Sequence, residues 1–123
     1  DFPIKVKRKY YYRGTFEKCV KLKKITSSSL ANVGKYDFKD CTRLESITLG
    51  KNLKSIGDSA FNNNRKLKSV SIKSTKLSKV GKSAFSKIYS KAKFTVPKSK
   101  LKKYKKLIKS NGKAPKNVKF IAK

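Results

Sequence analysis

The chain has 123 residues, enough for a single domain, and its apolar content of 37% includes no run approaching the ~18 residues of a membrane-spanning helix. It carries 35 Lys and Arg against six Asp and Glu, which gives a formal charge of +29, and it contains no His. The usual proton shuttle and the commonest metal ligand are missing, so we predict a protein that is not an enzyme and holds no cofactor or metal.

Residues 1–15 carry a strand-like segment followed by an aromatic run. Ile4 and Val6 alternate with lysine, and the run Tyr10 to Tyr12 follows. We interpret this stretch as a partial first repeat, with Tyr11 aligned with Val33 of the next unit. The start has no apolar run of a signal peptide, although a mature chain that had lost its signal would look the same.

A unit of 22 to 24 residues repeats along residues 16–97. Its aromatic positions are Phe16, Phe38, Phe61 and Phe85, and aliphatic residues follow the first three at fixed distances. A leucine-based repeat of about 20–29 residues is typical of a leucine-rich-repeat solenoid. Because each unit is too small to hide its apolar residues alone, the units must stack and bury them jointly.

Alternation of apolar and polar residues predicts one short strand in each unit. Residues 69–72 read Ser-Val-Ser-Ile, which buries one face and leaves the other in solvent. The predicted parallel strands are residues 23–26, 45–49, 68–72 and 93–96. Farther along the unit, Gly57 and Gly81 are interpreted as tight turns. Asp58 and Lys82 then begin one helical turn that buries the next phenylalanine.

Residues 98–123 are predicted to close the array. Pro97 ends the last regular strand, and a helix is predicted over residues 98–110, with Asn111-Gly112 as its stop. The apolar positions at helical spacing are Leu101, Tyr104, Leu107 and Ile108. Alternation at residues 118–120 predicts a final short strand. A helix with one apolar face would cover the open end of the stacked core.

These residues resemble the BspA-type leucine-rich repeat of bacterial surface and secreted proteins. The family pattern A-F-x-x-C-x-x-L-x-x-I-x-I is matched by D-F-K-D-C-T-R-L-E-S-I-T-L at residues 37–49 and again at residues 60–72. The resemblance covers residues 14–97, and the segment from Phe94 to Phe120 is similar to the family's usual ending. Ser27 and Asn64 depart from the pattern, because the family has a strand aliphatic and a cysteine at those places.

The resemblance implies a right-handed leucine-rich-repeat solenoid, an α/β repeat fold. It would have short parallel strands on the concave face, turns or short helical turns on the other, and a C-terminal capping helix. We predict one domain over residues 1–123, with a partial repeat at 1–15, repeats of 22–24 residues over 16–97, and the cap over 98–123. The resemblance also implies an extracellular or cell-surface location in bacteria.

Cys19 and Cys41 occupy equivalent positions of neighbouring repeats. Stacked coils lie about 5 Å apart, which is within the Cα range of a disulfide. In-register side chains point in parallel, however, and the family's cysteine behaves as a small buried hydrophobe, so two buried free thiols are favoured. A disulfide is the alternative, and it would fit an extracellular compartment. Asp37 and Asp40 are spaced like a carboxylate pair, but their places in the repeat favour a solvated or capping role.

Basic residues crowd the second half of the chain: residues 59–123 hold 21 Lys and Arg and no acid. Such a field attracts polyanions. Only four of the 35 basic residues are Arg, the residue that makes forked contacts to phosphate and bases, which argues partly against nucleic acid. Anionic wall polymers, acidic glycans or anionic lipid headgroups would serve equally as partners. Lysine that merely solubilises a thin scaffold is the alternative. The candidate polyanion contacts, on the outer face of the predicted cap helix, are Lys98, Lys102, Lys105, Lys106 and Lys109.

Ligand binding is expected on the outward face of the strands, which has no packing role. One candidate ladder across the strands is Lys24, Ser46, Ser69 and Lys93, and the ladder beside it is Thr26, Thr48, Ser71 and Thr95. Hydroxyls flanked by lysine would donate hydrogen bonds to an anionic or carbohydrate partner. A solvated sheet face rich in β-prone Thr and Ser is the alternative.

Together these features predict a monomeric surface or secreted interaction module that presents a rigid face to a protein, glycan or wall polymer. Two alternatives stay open. One is a basic nucleic-acid-associated protein, and the other is a structural spacer within a larger surface protein.

Overall fold

The computed structural model describes the backbone of residues 3–5 and the whole of residues 16–123. In chain order its strands are β1 (Pro3–Lys5), β2 (Lys24–Ser27), β3 (Asn32–Val33), β4 (Ser46–Leu49), β5 (Ser55–Ile56), β6 (Ser69–Ile72), β7 (Lys79–Val80), β8 (Lys93–Val96) and β9 (Lys119–Ala122). The α-helix α1 (Leu101–Ser110) directly follows a short 3-10 helix, Lys98–Lys100.

The strands build two sheets whose pairs are all parallel. The longer sheet has the order β1-β2-β4-β6-β8-β9, and the two-residue strands β3, β5 and β7 form the shorter one. Equivalent residues of successive repeats are paired, so that Ile25 lies beside Ile47 and Ile47 beside Val70. The four predicted strands are confirmed, although β2, β4 and β6 each start one residue later than predicted. Successive parallel strands in register are the arrangement of a solenoid.

Stacked phenylalanine rings run through the core, as predicted. Phe38, Phe61 and Phe85 are fully buried, with ring centroids 5.3 and 5.4 Å apart and ring planes within 10° of each other. Phe16 continues the stack at 5.1 Å from Phe38, and Phe94 meets Phe85 edge-on at 5.1 Å. Because each ring covers the next, no single repeat has a core of its own.

The turn beside each phenylalanine is not helical, contrary to the prediction. The segments 35–40, 58–63 and 82–87 are linked turns. Residues two places before and after each ring have φ between 52° and 65°: Tyr36, Asp40, Ser59, Asn63, Ser83 and Lys87. Left-handed residues at two of six positions prevent a helical hydrogen-bond pattern. Alternate amides bond to the next repeat instead, as where the Phe38 N–H donates to the Ala60 carbonyl at 2.8 Å.

Gly57 and Gly81 allow close packing of neighbouring coils, whereas the prediction placed tight turns there. A Cβ atom on Gly57 would lie 2.6 Å from the backbone nitrogen of Lys35, and one on Gly81 would lie 2.6 Å from the carbonyl carbon of Gly57. Neither glycine has a left-handed φ. The missing side chain is therefore required by the approach of one coil to the next.

Helix α1 covers the C-terminal end of the stack, as predicted, but it begins at Leu101 because Lys98–Lys100 is 3-10. Its C-terminal end replaces a further repeat. The N–H groups of Ser83 and Phe85 donate to the carbonyls of Asn111 and Gly112, both at 2.8 Å. These two amides, which would have no acceptor without a further coil, are thereby hydrogen-bonded.

Tyr104 extends this capping into the core. Its side chain is fully buried, and its hydroxyl accepts the Leu77 N–H at 3.1 Å and donates to the Ser74 carbonyl at 2.7 Å. Both partners belong to the last loop before β7. Tyr104, which the sequence predicted as part of an apolar stripe, thus also makes buried hydrogen bonds to the last repeat.

Candidate functional site: the strand face and its edge

The outward face of the long sheet brings the predicted ligand contacts together. Backbone pairing aligns Lys24, Ser46, Ser69 and Lys93 in one ladder. The same pairing aligns Thr26, Thr48, Ser71 and Thr95 in the ladder beside it. We call these eight residues the strand face. Each alternates along its strand with a buried residue, because successive side chains of a strand point to opposite sides.

The strand face continues beyond the predicted residues onto β9. Lys93 pairs with Lys119, and Thr95 pairs with Ile121, which is exposed. The sequence prediction missed these two positions because the final strand follows the cap and breaks the repeat spacing.

A trough runs along the edge where these strands end. It consists of two shallow clefts, of about 410 and 310 Å³, which share Lys51 and Lys73 as lining residues. Its other polar side chains are Thr26, Ser27, Ser28, Thr48, Asn52, Ser71, Thr75, Thr95 and Lys123. We call this the strand-end trough. It includes one complete ladder of the strand face and adds three lysines to it.

The three trough lysines were not predicted from the sequence. Lys73 and Lys123 each follow the last residue of a strand, and Lys51 follows Leu49 by two residues. Lys73 and Lys123 share a position directly after a strand, which was a usable signal, whereas Lys51 lies one residue farther from its strand. The signal was hidden because lysine is so frequent elsewhere in the chain.

The opposite edge of the strand face has a different charge pattern. A cleft there is lined by Lys23, Lys24, Glu45, Ser46 and Lys68. Glu45 forms an ion pair with Lys68, with 3.3 Å between Oε1 and Nζ. A carboxylate therefore sits among the lysines at this edge, whereas the described residues that line the strand-end trough include no acid.

The predicted polyanion contacts on the cap are divided among different surroundings. Lys98 lies in the 3-10 helix, and Lys102 and Lys106 are exposed on α1. The Lys105 ammonium lies 6.0 Å from the centre of the Phe120 ring. Lys109 is half-buried and donates a long hydrogen bond of 3.4 Å to the Lys116 carbonyl.

Helix α1 also exposes Lys103, which the prediction omitted. The helix packs against β7 and β9. Its exposed lysines therefore extend the basic character of the molecule past the last strand of the long sheet.

A sequence profile described as BspA type Leucine rich repeat region matches residues 9–121 in six copies. The chain belongs to the BspA-type leucine-rich-repeat family. It is also similar in fold to the crystal structure of a leucine-rich repeat protein from Bacteroides ovatus, with a TM-score of 0.63 and 22% identity. That alignment covers 99% of this chain and 36% of the other, so the chain corresponds to about a third of its length. No curated protein matches it.

The BspA-type assignment confirms the resemblance and the leucine-rich-repeat solenoid. This repeat fold is that of a protein-interaction module, generally without enzymatic activity, and the BspA type is typical of bacterial surface proteins. Within residues 3–5 and 16–123, no helix is both long and apolar enough to cross a membrane. The interpretation of Tyr10 to Tyr12, and of Tyr11 as a core residue, lies outside the described residues.

The carboxylates of this BspA-type chain take part in its turns. Asp37 is buried rather than solvated, and its carboxylate accepts the Gly34 N–H, which fits the capping role. Asp40 is half-buried and accepts a hydrogen bond of 2.8 Å from the Asn63 side chain. In the part of the chain that the structure describes, no three His, Cys, Asp or Glu side chains come together as a metal site would require.

Both cysteines are free thiols, but only one of them is buried. The Cys41 thiol donates to the Phe16 carbonyl at 3.2 Å, and burial raises its pKa from 9.0 to about 12. Cys19 is half-buried rather than buried as predicted, and desolvation raises its pKa as well. A raised thiol pKa lowers the fraction of reactive thiolate, so neither cysteine has the character of a nucleophile.

Asn64 occupies the cysteine position of the next repeat, where its side chain makes a hydrogen bond to the neighbouring coil. Its fully buried side-chain oxygen accepts the Cys41 N–H at 2.9 Å. Ser27, the other departure from the family pattern, is buried and accepts the Leu30 N–H at 3.1 Å. Each polar substitution thus satisfies a backbone amide, but among the described residues the buried Nδ2 group of Asn64 has no hydrogen-bond partner.

Proposed function

We propose that this BspA-type chain is a non-enzymatic interaction module at the bacterial surface or outside the cell. Its strand face binds a protein, a glycan or a wall polymer. The observation that carries the proposal is the pair of unbroken ladders across β2, β4, β6 and β8. Their side chains are small hydroxyls or lysines, and the core packs on the other side of the sheet. A rigid, extended surface of this kind is how solenoids bind partners.

The family supports the location, since BspA-type repeats are typical of bacterial surface proteins. The charge of +29 supports an anionic partner. Charges spaced along one surface attract polyanions over distances up to the Debye length, about 8–10 Å in ordinary salt.

Negative charge placed on the strand face should test this role. The variant carrying Ser46→Glu and Ser69→Glu changes two neighbours of one ladder. The matched control carries Ser78→Glu and Ser90→Glu, which alter the total charge equally at exposed loop positions. Binding to immobilised bacterial wall polymer and to a polyuronate is measured for both variants and the parent chain.

We expect the strand-face variant to lose most of its binding to at least one of the two polymers, and the control to retain it. If both variants weaken binding equally, the strand face is not the surface that binds these polymers. If neither polymer binds the parent chain, the polymer partners are ruled out and only the protein partner of the proposal is left.

A basic nucleic-acid-associated role is the second candidate, and the charge of the chain favours it. Lys98, Lys102 and Lys106 would then contact phosphates without reading sequence. Its signature would be a linear fall of log affinity with log salt, with a slope near −0.9 for each phosphate neutralised on duplex DNA. The small number of arginines weighs against it.

A further inference from the structure

We infer that the strand-end trough holds an acidic polysaccharide, laid across the strands with its carboxylates or sulfates on the trough lysines. This inference rests on the proposed function, because the trough is one margin of the strand face. It adds the chemical class of the ligand, the direction in which it lies and the residues that select it.

The shape of the trough favours an extended ligand. Its two clefts join at Lys51 and Lys73, and the lining residues run from Thr26 on β2 to Lys123 just past β9. Neighbouring strands lie about 4.8 Å apart, so five strands span roughly 19 Å. Both clefts are partly open to solvent. A polymer can lie in such a groove, whereas a small molecule would find little enclosure.

The charged residues described in the trough are all lysines, and they lie at intervals along it. Lys73 follows β6 and Lys123 follows β9, both by one residue, and β8 lies between the two strands. At about 4.8 Å per strand, their backbone positions are separated by roughly 10 Å. Lys51 follows β4 on the other side of Lys73. A ligand with anionic groups at intervals along a chain would meet these lysines in turn.

The hydroxyls between the lysines suit a sugar. Thr48, Ser71 and Thr95 stand side by side on β4, β6 and β8, and each is half-buried in the sheet surface. A hydroxyl both donates and accepts hydrogen bonds, as do the hydroxyl groups of a saccharide. Lysine supplies only donors, which carboxylate and sulfate oxygens accept. The two residue types together match a chain that carries both hydroxyl and acidic groups.

Other macromolecules fit this lining less well. Among the described residues that line the trough, none is an aromatic on which bases could stack, and none is an arginine that could read base edges or clamp phosphate. The described lining also lacks the large aromatic anchors of protein interfaces. The apolar lining is limited to small or strand-end groups such as Ile72, Val96 and Pro97.

The test removes the trough charges and compares them with equal charges elsewhere. One variant carries Lys51→Gln, Lys73→Gln and Lys123→Gln. Its control carries Lys66→Gln, Lys87→Gln and Lys91→Gln, which are exposed and do not line the trough. A third variant, Thr48→Val, removes one hydroxyl and leaves the charge unchanged. Affinities are measured for polygalacturonate, for uncharged dextran and for duplex DNA, after urea unfolding has shown that each variant folds.

We expect the trough variant to bind polygalacturonate about tenfold more weakly than the parent, and the control less than about threefold more weakly. Thr48→Val should weaken polygalacturonate binding severalfold and leave DNA binding unchanged. Dextran should bind none of the variants. Equal losses in the two triple variants would overturn the inference, because the trough would then act only through the overall field.

The outcome is separable from that of the proposed function. If the Ser46→Glu and Ser69→Glu variant loses binding while the trough variant keeps it, the strand face is the binding surface and the trough assignment is wrong. If polygalacturonate fails to bind the parent chain while wall polymer binds the strand face, the trough inference is wrong and the proposed function stands. If neither polymer binds the parent chain, the inference fails together with the glycan and wall-polymer forms of the proposed function.

Discussion

Phe61 lies at the centre of the aromatic stack, with Phe38 and Phe85 on its two faces. Its ring has no exposed surface, so its removal opens a cavity between two coils that depend on each other. The repeat is therefore stabilised by contacts that belong to no single unit. A substitution of Phe61 therefore affects the packing of both neighbouring repeats.

Phe61→Ala should lower the free energy of unfolding by about 3–5 kcal/mol, as for other buried aromatic residues. Phe61→Leu keeps most of the volume and serves as the milder control. Urea unfolding followed by circular dichroism measures both. If the urea midpoint of the alanine variant hardly differs from that of the parent chain, the phenylalanine stack does not stabilise the core.

The Cys41 thiol makes stability depend on pH. Its pKa is raised by burial from 9.0 to about 12 in the folded state. The folded chain therefore holds this proton more tightly than the unfolded chain, and the resulting stabilisation is complete below pH 9 and is lost as the pH rises towards about 12. We expect Cys41→Ala to show a shallower loss of stability above pH 9 than the parent.

Cys19→Ala is the control for this dependence, since Cys19 is only half-buried. Unfolding free energies are compared at several pH values on either side of 9, the ordinary pKa of the thiol. Identical slopes in the parent chain and the Cys41→Ala variant would show that the thiol does not titrate as its burial requires.

At the scale of the element, the linked turns and the cap solve the same problem in different ways. Alternate N–H groups of each turn donate to carbonyls of the following repeat, as the Phe38 N–H does to the Ala60 carbonyl. The last turn has no following repeat, and helix α1 supplies the carbonyls of Asn111 and Gly112. The Tyr104 hydroxyl accepts the Leu77 N–H, whereas the equivalent N–H of Leu53 donates to the Gly50 carbonyl of its own loop. The end of helix α1 therefore supplies the hydrogen-bond acceptors that a following repeat would provide.

Tyr104→Phe should cost about 1–3 kcal/mol, because it leaves the Leu77 N–H and the Ser74 carbonyl buried without their partner. Tyr89→Phe removes a hydroxyl from an exposed ring and should be nearly neutral. Thermal unfolding of both variants measures the difference. Equal melting temperatures would show that the hydroxyl is not needed to close the stack.

The left-handed turn positions give a second test at this scale. Lys87 is exposed and has a φ of 59°, which an L-residue adopts at some cost. Lys87→Gly should therefore raise the free energy of unfolding by up to about 1 kcal/mol relative to Lys87→Ala. If alanine is as stable as glycine here, the turn does not hold the left-handed geometry described.

The elements that the sequence predicted correctly are those whose signal repeats. Phe38, Phe61 and Phe85 recur at nearly constant spacing, and the strands follow from alternation beside them. The role of Gly57 was not predicted, because it arises from contact between coils. Gly57 avoids a clash with Lys35, and no pattern within one repeat distinguishes this from a tight turn.

The candidate site divides in the same way. The ladders of the strand face were predictable because register follows from the repeat. Lys51, Lys73 and Lys123 were not, since they follow strands of different spacing and become neighbours only when the sheet is assembled.

For the whole molecule, the separation of charge decides what it can bind. Residues 59–123 contain no acid, and the trough and the exposed side of α1 both draw lysines from this half. A field of this size attracts any polyanion at low salt. Selectivity then depends on local chemistry, which is why the hydroxyls of the strand face matter as much as the lysines beside it.

The most direct measurement is a titration of the parent chain with bacterial wall polymer, polygalacturonate and duplex DNA at two salt concentrations. We predict that the wall polymer and the polyuronate bind at low salt, at least as tightly as DNA, and that all three affinities fall together as salt rises. Tight binding to DNA alone, persisting at high salt, would contradict the account and establish the chain as a nucleic-acid-binding protein.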